Sequence, residues 1–438
     1  MYLLPEKFRE RMKNLLPENE REDFFAVYEK EGFEKGLLIN TLKITAEEFE
    51  KITPLFLDGV VPWAKNARFV KDEKVGGDPY HAAGLYYMQE PSASFVAPQA
   101  EAEEGERVLD LCAAPGGKTA ALAAALNGKG ILVCNEPVSS RAQILLSNAE
   151  RLGVKNVVVT NAYPEELSGV FSQYFDKIVV DAPCSGEGMF RKNAEEARAE
   201  WSEENVAACA ERQRRILGEA AKMLAVGGRI VYSTCTFSAE EDEEQTREFL
   251  KNHTEFSLLS ETKLLPHKIR GEGHYCAVFL KNTGERKDLR PQKSNISLAS
   301  QKLFFDFCDS TLQKQAAEDT KKSVLYEANG TLYALPSDCF AWKGVKILRC
   351  GVKLGEIMKN RFKPAHAFAL SLKKGEAKNV LDLPYGDPLL IRYLRGEEIP
   401  ADVRGWCVVC VNGYPVGWGK GSGSTLKNHY PRGLRLHG

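Results

Sequence analysis

The chain predicts an α/β protein built on a doubly wound, mostly parallel sheet, with smaller units before and after it. Three observations carry this. Between residues 108 and 233, short Val/Ile-rich runs alternate with helical stretches, and such alternation indicates parallel strands covered on both faces. The first run ends in a small-residue loop, Cys112-Ala113-Ala114-Pro115-Gly116-Gly117-Lys118, that opens into an alanine-rich helix. At 43% hydrophobic and 27% charged residues over 438 positions, the chain has the composition of a globular protein with room for about two to four domains.

Residues 1–75 read as a small α+β unit. Phe8, Met12, Leu15 and Leu16 recur at helical spacing, a second helix is expected over 20–28, and residues 36–40 read as a strand. Thr45 with Glu48 marks a capped helix start. Pro91 blocks a helix through Gln89-Glu90-Pro91-Ser92, and Ser92 is placed to cap the helix that follows. The adjacent Tyr86 and Tyr87 are read as packing residues. Residues 76–283 form the central domain. Its strands are expected at 108–111, 130–136, 156–160, 177–181 and 229–233, with helices from 119, over 139–151 and through most of 200–224. The polar stretch 281–295 has no apolar period and reads as a linker into a unit at 284–378, with strand candidates at 322–326, 331–334 and 345–350. A last unit covers 379–438. Its end carries Arg404, Lys420, Lys427, Arg432 and Arg435 with no acid, interleaved with Trp406, Tyr414, Trp418 and Tyr430, a pattern suited to RNA phosphates and bases.

Several classes are set aside. No run of 18 or more residues is apolar and no apolar leader opens the chain, so a cytoplasmic protein is expected. The 11 cysteines form no disulfide-type framework, which suits a reducing compartment and leaves thiols free for chemistry. A formal net charge of -1 announces no nucleic-acid partner globally, so RNA binding has to come from local patches. Cys407 and Cys410 sit three apart in an expected strand and therefore on opposite faces; with no second pair, no metal is expected.

The loop after the first strand is not a phosphate loop, because Cys112 stands where the required glycine would be, and the dinucleotide pattern G-x-G-x-x-G is absent. A strand, a loop with few glycines and an acid at the end of the next strand, Glu136, suit a cofactor held by its sugar and base, such as S-adenosyl-L-methionine. Cys184, in Asp181-Ala-Pro-Cys184, and Cys235, in Ser233-Thr-Cys235, follow two further strands. In a parallel sheet these ends face one crevice, which brings both thiols and Asp181 beside the cofactor. Methylation of a pyrimidine at C5 needs such a set. A thiolate adding at C6 makes C5 nucleophilic, an acid near N3 (Asp181 with a raised pKa) stabilises the adduct, and a second thiol helps release it. The residues alone do not say which thiol attacks.

These motifs, with Leu4-Pro5-x-x-Phe8-x-x-Arg11-Met12, Gln89-Glu-Pro-Ser-Ala93, Met189-Phe-Arg-Lys192, Gly417-Trp-Gly-Lys420 and Pro431-Arg-Gly-Leu-Arg435, make the chain resemble the bacterial RsmF-type RNA cytosine-5 methyltransferases of the Nop/Sun family over almost its whole length. The resemblance implies a Rossmann-like methyltransferase domain with a PUA-like RNA-binding extension, acting as a monomer on a cytosine of small-subunit (16S) ribosomal RNA, free or in the assembled subunit. It also implies Cys235 as nucleophile and Cys184 as the releasing thiol, with Lys118 able to reach the base. Cys112, Ala113, Ala114, Pro115, Gly116, Gly117, Lys118, Glu136, Arg141 and Asp181 are then the residues around S-adenosylmethionine. Relatives usually carry an acid after the third strand where this chain has Asn161, which is expected to serve on the adenine side. After Cys235 they have Glu-Asn where this chain has Glu241-Asp242. A transfer-RNA substrate, or a silent methyltransferase domain in an RNA-binding assembly factor, are the alternatives.

Overall fold

The computed structural model describes residues 4–30, 32–72, 77–192, 194–341 and 343–436. The first unit is a four-stranded antiparallel sheet in the order Leu57–Val60, Ala67–Val70, Lys35–Ile39, Tyr86–Met88. The boundary expected at 75/76 falls in residues 73–76, outside the described residues, and the sheet draws its last strand from beyond it. Tyr86 and Tyr87 are buried in it. The Thr45–Glu48 capping box forms as its spacing predicts. Ser92 does not cap a helix. It opens a 3-10 turn, Ser92–Phe95, and its hydroxyl donates to Glu90, whose carboxylate accepts the backbone N–H of Ser92 at 3.0 Å and of Ala93 at 2.8 Å. Glu90 is acidic where Ser92 is neutral, so it takes the free donors at the turn's start. The helices Glu6–Leu15 and Glu18–Val27 bury Phe8, Met12 and Phe24 against Phe190, Trp201 and Phe237, and thereby clamp the segments that follow Asp181 and Cys235.

The central sheet has eight strands. In chain order they are β1 Arg107–Asp110, β2 Ile131–Asn135, β3 Val157–Thr160, β4 Phe175–Asp181, β5 Leu224–Thr234, β6 Phe256–Leu264, β7 His274–Lys281 and β8 Ile347–Cys350. Their spatial order is β6-β7-β5-β4-β1-β2-β3-β8. The first five are parallel; β6, β7 and β8 add antiparallel strands at the two edges. Helices α1 Gly117–Leu126, α2 Ser139–Arg151 and α3 Glu203–Met223 cover it. The order reverses between β1 and β4, and that switch point is where α/β sheets bind ligands.

Strand β8 is the largest departure from the sequence reading. It was expected within the third unit, yet it pairs with β3 and extends the central sheet. The third unit's own sheet is Val324–Ala328, Thr331–Leu335, Val352–Met358 and Arg361–Pro364. The linker runs extended along the body, with Arg107 donating to the Lys287 carbonyl at 3.0 Å.

The last unit is a five-stranded sheet that contains Val380–Leu383, Arg404–Val411 and Tyr414–Ser422. Arg404, Lys420, Lys427 and Arg432 are exposed, but three of the four aromatics are not available to bases: Trp418, Tyr414 and Tyr430 are buried. The Arg404–Val411 strand packs on both faces, Cys407 in one core and Cys410 in another, so the partner strand's aromatics are consumed as core. Among the described residues no cluster of His, Cys, Asp or Glu fit for a metal occurs, and no helix is long and apolar enough to cross a membrane.

Trp418 is 1% exposed and packs against Phe307 of the third unit and Phe368. Trp418→Ala is expected to lower the unfolding free energy by about 3–5 kcal/mol, read by denaturant titration. A loss below about 1 kcal/mol would show that this contact does not hold the last two units together.

Candidate active site

Asp110 and Asp181 end the neighbouring strands β1 and β4, and the chain's polar groups converge there. Gly116, at φ +118, turns the chain into α1, and a side chain at Gly117 would run into the Gln89 amide 2.9 Å away. That turn aims Lys118 back across the strand ends, where Nζ lies 2.6 Å from Asp181 Oδ2. The other oxygen, Oδ1, accepts the Ser233 hydroxyl at 2.8 Å and faces His274 Nε2 at 3.3 Å.

The expected raised pKa of Asp181 is therefore wrong in direction. Burial pushes the carboxyl up, but the Lys118 ammonium and then His274 outweigh it and hold the group well below the usual carboxylate range. Lys118 moves the opposite way. Burial lowers it, while Asp181 and the nearby Cys235 raise it, so it stays an ammonium. Behind the pair, Asp110 is fully buried and accepts the Thr119 hydroxyl at 2.7 Å; burial lifts its carboxyl to about 7.

Cys184 and Cys235 meet, Sγ to Sγ, at 3.3 Å. Two fixed loops bring them together. Gln213 of α3 donates to the Pro183 carbonyl at 3.0 Å and to Glu241 at 2.7 Å, and Glu241 also accepts the Ser185 N–H at 3.0 Å. The buried Glu187 carboxylate accepts the Phe237 N–H at 2.8 Å and the Ser238 hydroxyl at 2.7 Å. The contact with Cys235 and burial push the Cys184 thiol well above its usual range.

On the other side, Glu136 follows β2 at 2% exposure, accepts the Val138 N–H at 2.9 Å and lies 3.4 Å from Arg141 Nη1. Arg141 Nη2 donates to the Ala114 carbonyl at 3.0 Å. One cleft of about 680 Å³ connects Cys112, Ala114, Glu136 and Arg141 with Asp181, Cys184 and Cys235. Its size suits a nucleoside-type ligand, and its walls place a buried acid at one end and two thiols at the other. Ala113, Pro115, Gly116 and Gly117 shape the loop from behind: the Ala113 N–H donates to the Asn135 carbonyl at 2.8 Å and the Pro115 carbonyl accepts from Asn148 at 2.9 Å. Lys118 reaches the site through Asp181. Asn161 does not line the cleft; its side-chain N–H groups donate to the carbonyls of Glu136 at 2.9 Å and Pro137 at 2.8 Å. The adenine-side role expected of it is not supported, because its amide is already spent on backbone.

Two site residues escaped the sequence reading, His274 and Gln213, while Glu241 was read only as part of a departure from the family pattern. Only His274 left a trace, as a polar residue opening the apolar run Tyr275-Cys-Ala-Val-Phe-Leu280, and the strand it opens lies beyond the doubly wound pattern.

Comparison with known proteins agrees with this geometry. Family descriptions match in four blocks: N-terminal domain of 16S rRNA methyltransferase RsmF at 4–91, 16S rRNA methyltransferase RsmB/F at 97–283, RsmF rRNA methyltransferase first C-terminal domain at 306–372 and methyltransferase RsmF PUA domain at 379–436. Ribosomal RNA small subunit methyltransferase F of Vibrio campbellii is 30% identical over 98% of this chain and 97% of its own length, and that of Aliivibrio salmonicida is 32% identical over the same shares. A methyltransferase homolog protein from Pyrococcus horikoshii superposes with TM-score 0.54 at 26% identity, over 60% of this chain and 90% of that one. NSun6 from the same organism, solved with SFG, shares the fold with TM-score 0.55 at 22% identity, over 64% of this chain and 99% of that one. The fold, with these family matches, defines the class, a ribosomal RNA methyltransferase. The chain belongs to the RsmF family of 16S rRNA methyltransferases.

The folded-state pKa of Asp181 lies below its unfolded value, so its pairing adds stability that is present above about pH 4 and is lost as pH falls toward the folded value. Melting curves from pH 7 to pH 2 are expected to show a shallower acid decline in Asp181→Asn than in the parent chain. Parallel declines would show that Asp181 is not held ionised.

Proposed function

We propose that this chain transfers a methyl group from S-adenosylmethionine to C5 of a cytosine in 16S ribosomal RNA, through a covalent bond between Cys235 and C6 of the base. The observation that carries the reading is the thiol pair that shares one cleft with Asp181, whose carboxylate Lys118 holds from outside the cleft lining. Cys112, Ala114, Glu136 and Arg141 line the end that suits the cofactor, with Glu136 placed for ribose hydroxyls. Bound there, S-adenosylmethionine supplies an electrophilic methyl group.

The chain's own groups divide the remaining work. Asp181, held ionised, accepts a hydrogen bond from the cytosine amino group, and the Lys118 ammonium beside it stabilises the negative charge that builds at N3. Cys235 adds to C6 as thiolate, which places the electron pair at C5. Once C5 is methylated, its proton leaves to a base, the C5=C6 bond re-forms, and Cys235 departs as thiolate. Cys184 stays protonated through the first step, and its S–H, 3.3 Å from Cys235, stabilises the departing sulfur.

Cys235→Ala is expected to lower methyl transfer from labelled S-adenosylmethionine by at least about a thousandfold. Cys184→Ala is expected to accumulate a denaturation-resistant protein–RNA adduct, seen by electrophoresis. Adduct in Cys235→Ala instead would reverse the roles. Small subunits, free 16S RNA and transfer RNA serve as parallel substrates, and label in transfer RNA alone would overturn the substrate assignment.

A further inference from the structure

The third unit reaches the site from outside the methyltransferase region. Strand β8 pairs Ile347 with Thr160 and Cys350 with Val158, which seals the edge of β3. The pairing is anchored at both ends. The Asn161 N–H donates to the Lys346 carbonyl at 2.9 Å, and the Gly351 N–H to the Val157 carbonyl at 2.7 Å. Arg349, within β8, forms an ion pair with Glu150 of α2, the helix that also carries Arg141.

The residue just before β8 continues the contact in side chains. Lys346 Nζ donates to Asn161 Oδ1 at 2.8 Å. The two amide hydrogens of Asn161 are then directed at the carbonyls of Glu136 and Pro137. Those two residues form the turn after β2 and line the cleft with Val138 and Tyr163. The Asn161 amide thus bridges the two, its oxygen held by Lys346 and its N–H groups holding the turn.

We infer that β8 is a working part of the cofactor site, with Lys346 a positioning residue that acts through Asn161 on the Glu136–Pro137 turn. This rests on the methyltransferase reading above. An acid at position 161 offers no hydrogen to the two carbonyls. Asparagine with Lys346 does, so the departure at 161 and the strand from the third unit belong to one device. Tyr163, 65% exposed on the cleft wall, is left as the side chain in this loop free to meet the cofactor's base.

The test uses the full chain and S-adenosylhomocysteine as probe, titrated by calorimetry, with binding to 16S RNA measured in parallel at fixed salt. Lys346→Ala is expected to weaken nucleoside binding about three- to tenfold, the size of one hydrogen bond, with RNA affinity unchanged. Lys346→Arg, which keeps a donor, is expected to restore it to within about twofold. Asn161→Asp is expected to weaken it about tenfold or more, because two donors are lost and a carboxylate faces two carbonyls. A direct adenine contact by residue 161 would instead leave Asn161→Asp as tight as the parent chain. Unchanged nucleoside binding in Lys346→Ala overturns the inference, and a loss of RNA affinity alone would assign Lys346 to the RNA backbone. No nucleoside binding by the parent chain would overturn the methyltransferase reading and this inference with it.

Discussion

The contact between Lys118 and Asp181 spans the point where the sheet reverses its winding, and much of the site depends on it. Lys118 comes from the helix that follows β1 and Asp181 from the end of β4. An ammonium and a carboxylate this close to the sheet interior are costly unless paired, so each fixes the other's charge state. The loop 112–118 keeps a tight small-residue path, and a side chain at Gly117 would have to move the Gln89 amide 2.9 Å away. Ser233 and His274 complete the arrangement from β5 and β7, so strands on one side of the switch point are tied through one carboxylate to the helix after β1.

Much of the central fold was legible in sequence because its signals are local. The strands at 131–135, 157–160 and 175–181 and the helix at 139–151 follow from Val/Ile runs and helical spacing within short windows. So did the loop 112–118 and the two strand-end cysteines, since motif and strand end coincide. What stayed hidden was set by distant partners. The charge state of Asp181 depends on Lys118, 63 residues before it, and His274, 93 residues after it. Burial alone argues for a raised pKa, and only the coordinates show that the Lys118 ammonium, with His274 beside it, outweighs burial. Strand β8 was found but misplaced, because nothing in Ile347–Cys350 says which of two sheet edges it joins. The aromatics of the last unit misled for a related reason. A Trp or Tyr between basic residues looks the same in sequence whether it stacks on a base or fills a core, and Trp418 fills a core.

The Glu241-Asp242 step, which departs from the pattern expected of the family, has its own partners within the fold. Asp242 accepts the Thr234 hydroxyl at 2.6 Å and lies 3.0 Å from Lys263, which also reaches Glu243 at 2.8 Å. Burial outweighs Lys263 and holds the Asp242 carboxyl well above its usual range, so the added acid is accommodated with a hydroxyl and an ammonium as partners. Thr234 directly precedes Cys235, so this bond ties the end of β5 to the start of the helix after it.

The two thiols, 3.3 Å apart, have different surroundings. Positive and negative groups are not spread evenly around them. The Lys118 charge interacts with Cys235, whereas the Glu241 carboxyl acts on Cys184 and is itself lifted by burial to about 7. The Cys235 contact, burial and Glu241 together thus favour a proton on Cys184. Gln213 and Ser185 keep Glu241 in place, and the N-terminal helices keep the Cys235 loop in place through Phe237. The two sulfurs therefore sit against different neighbours, Lys118 towards Cys235 and Glu241 towards Cys184, a difference that the motifs alone do not show.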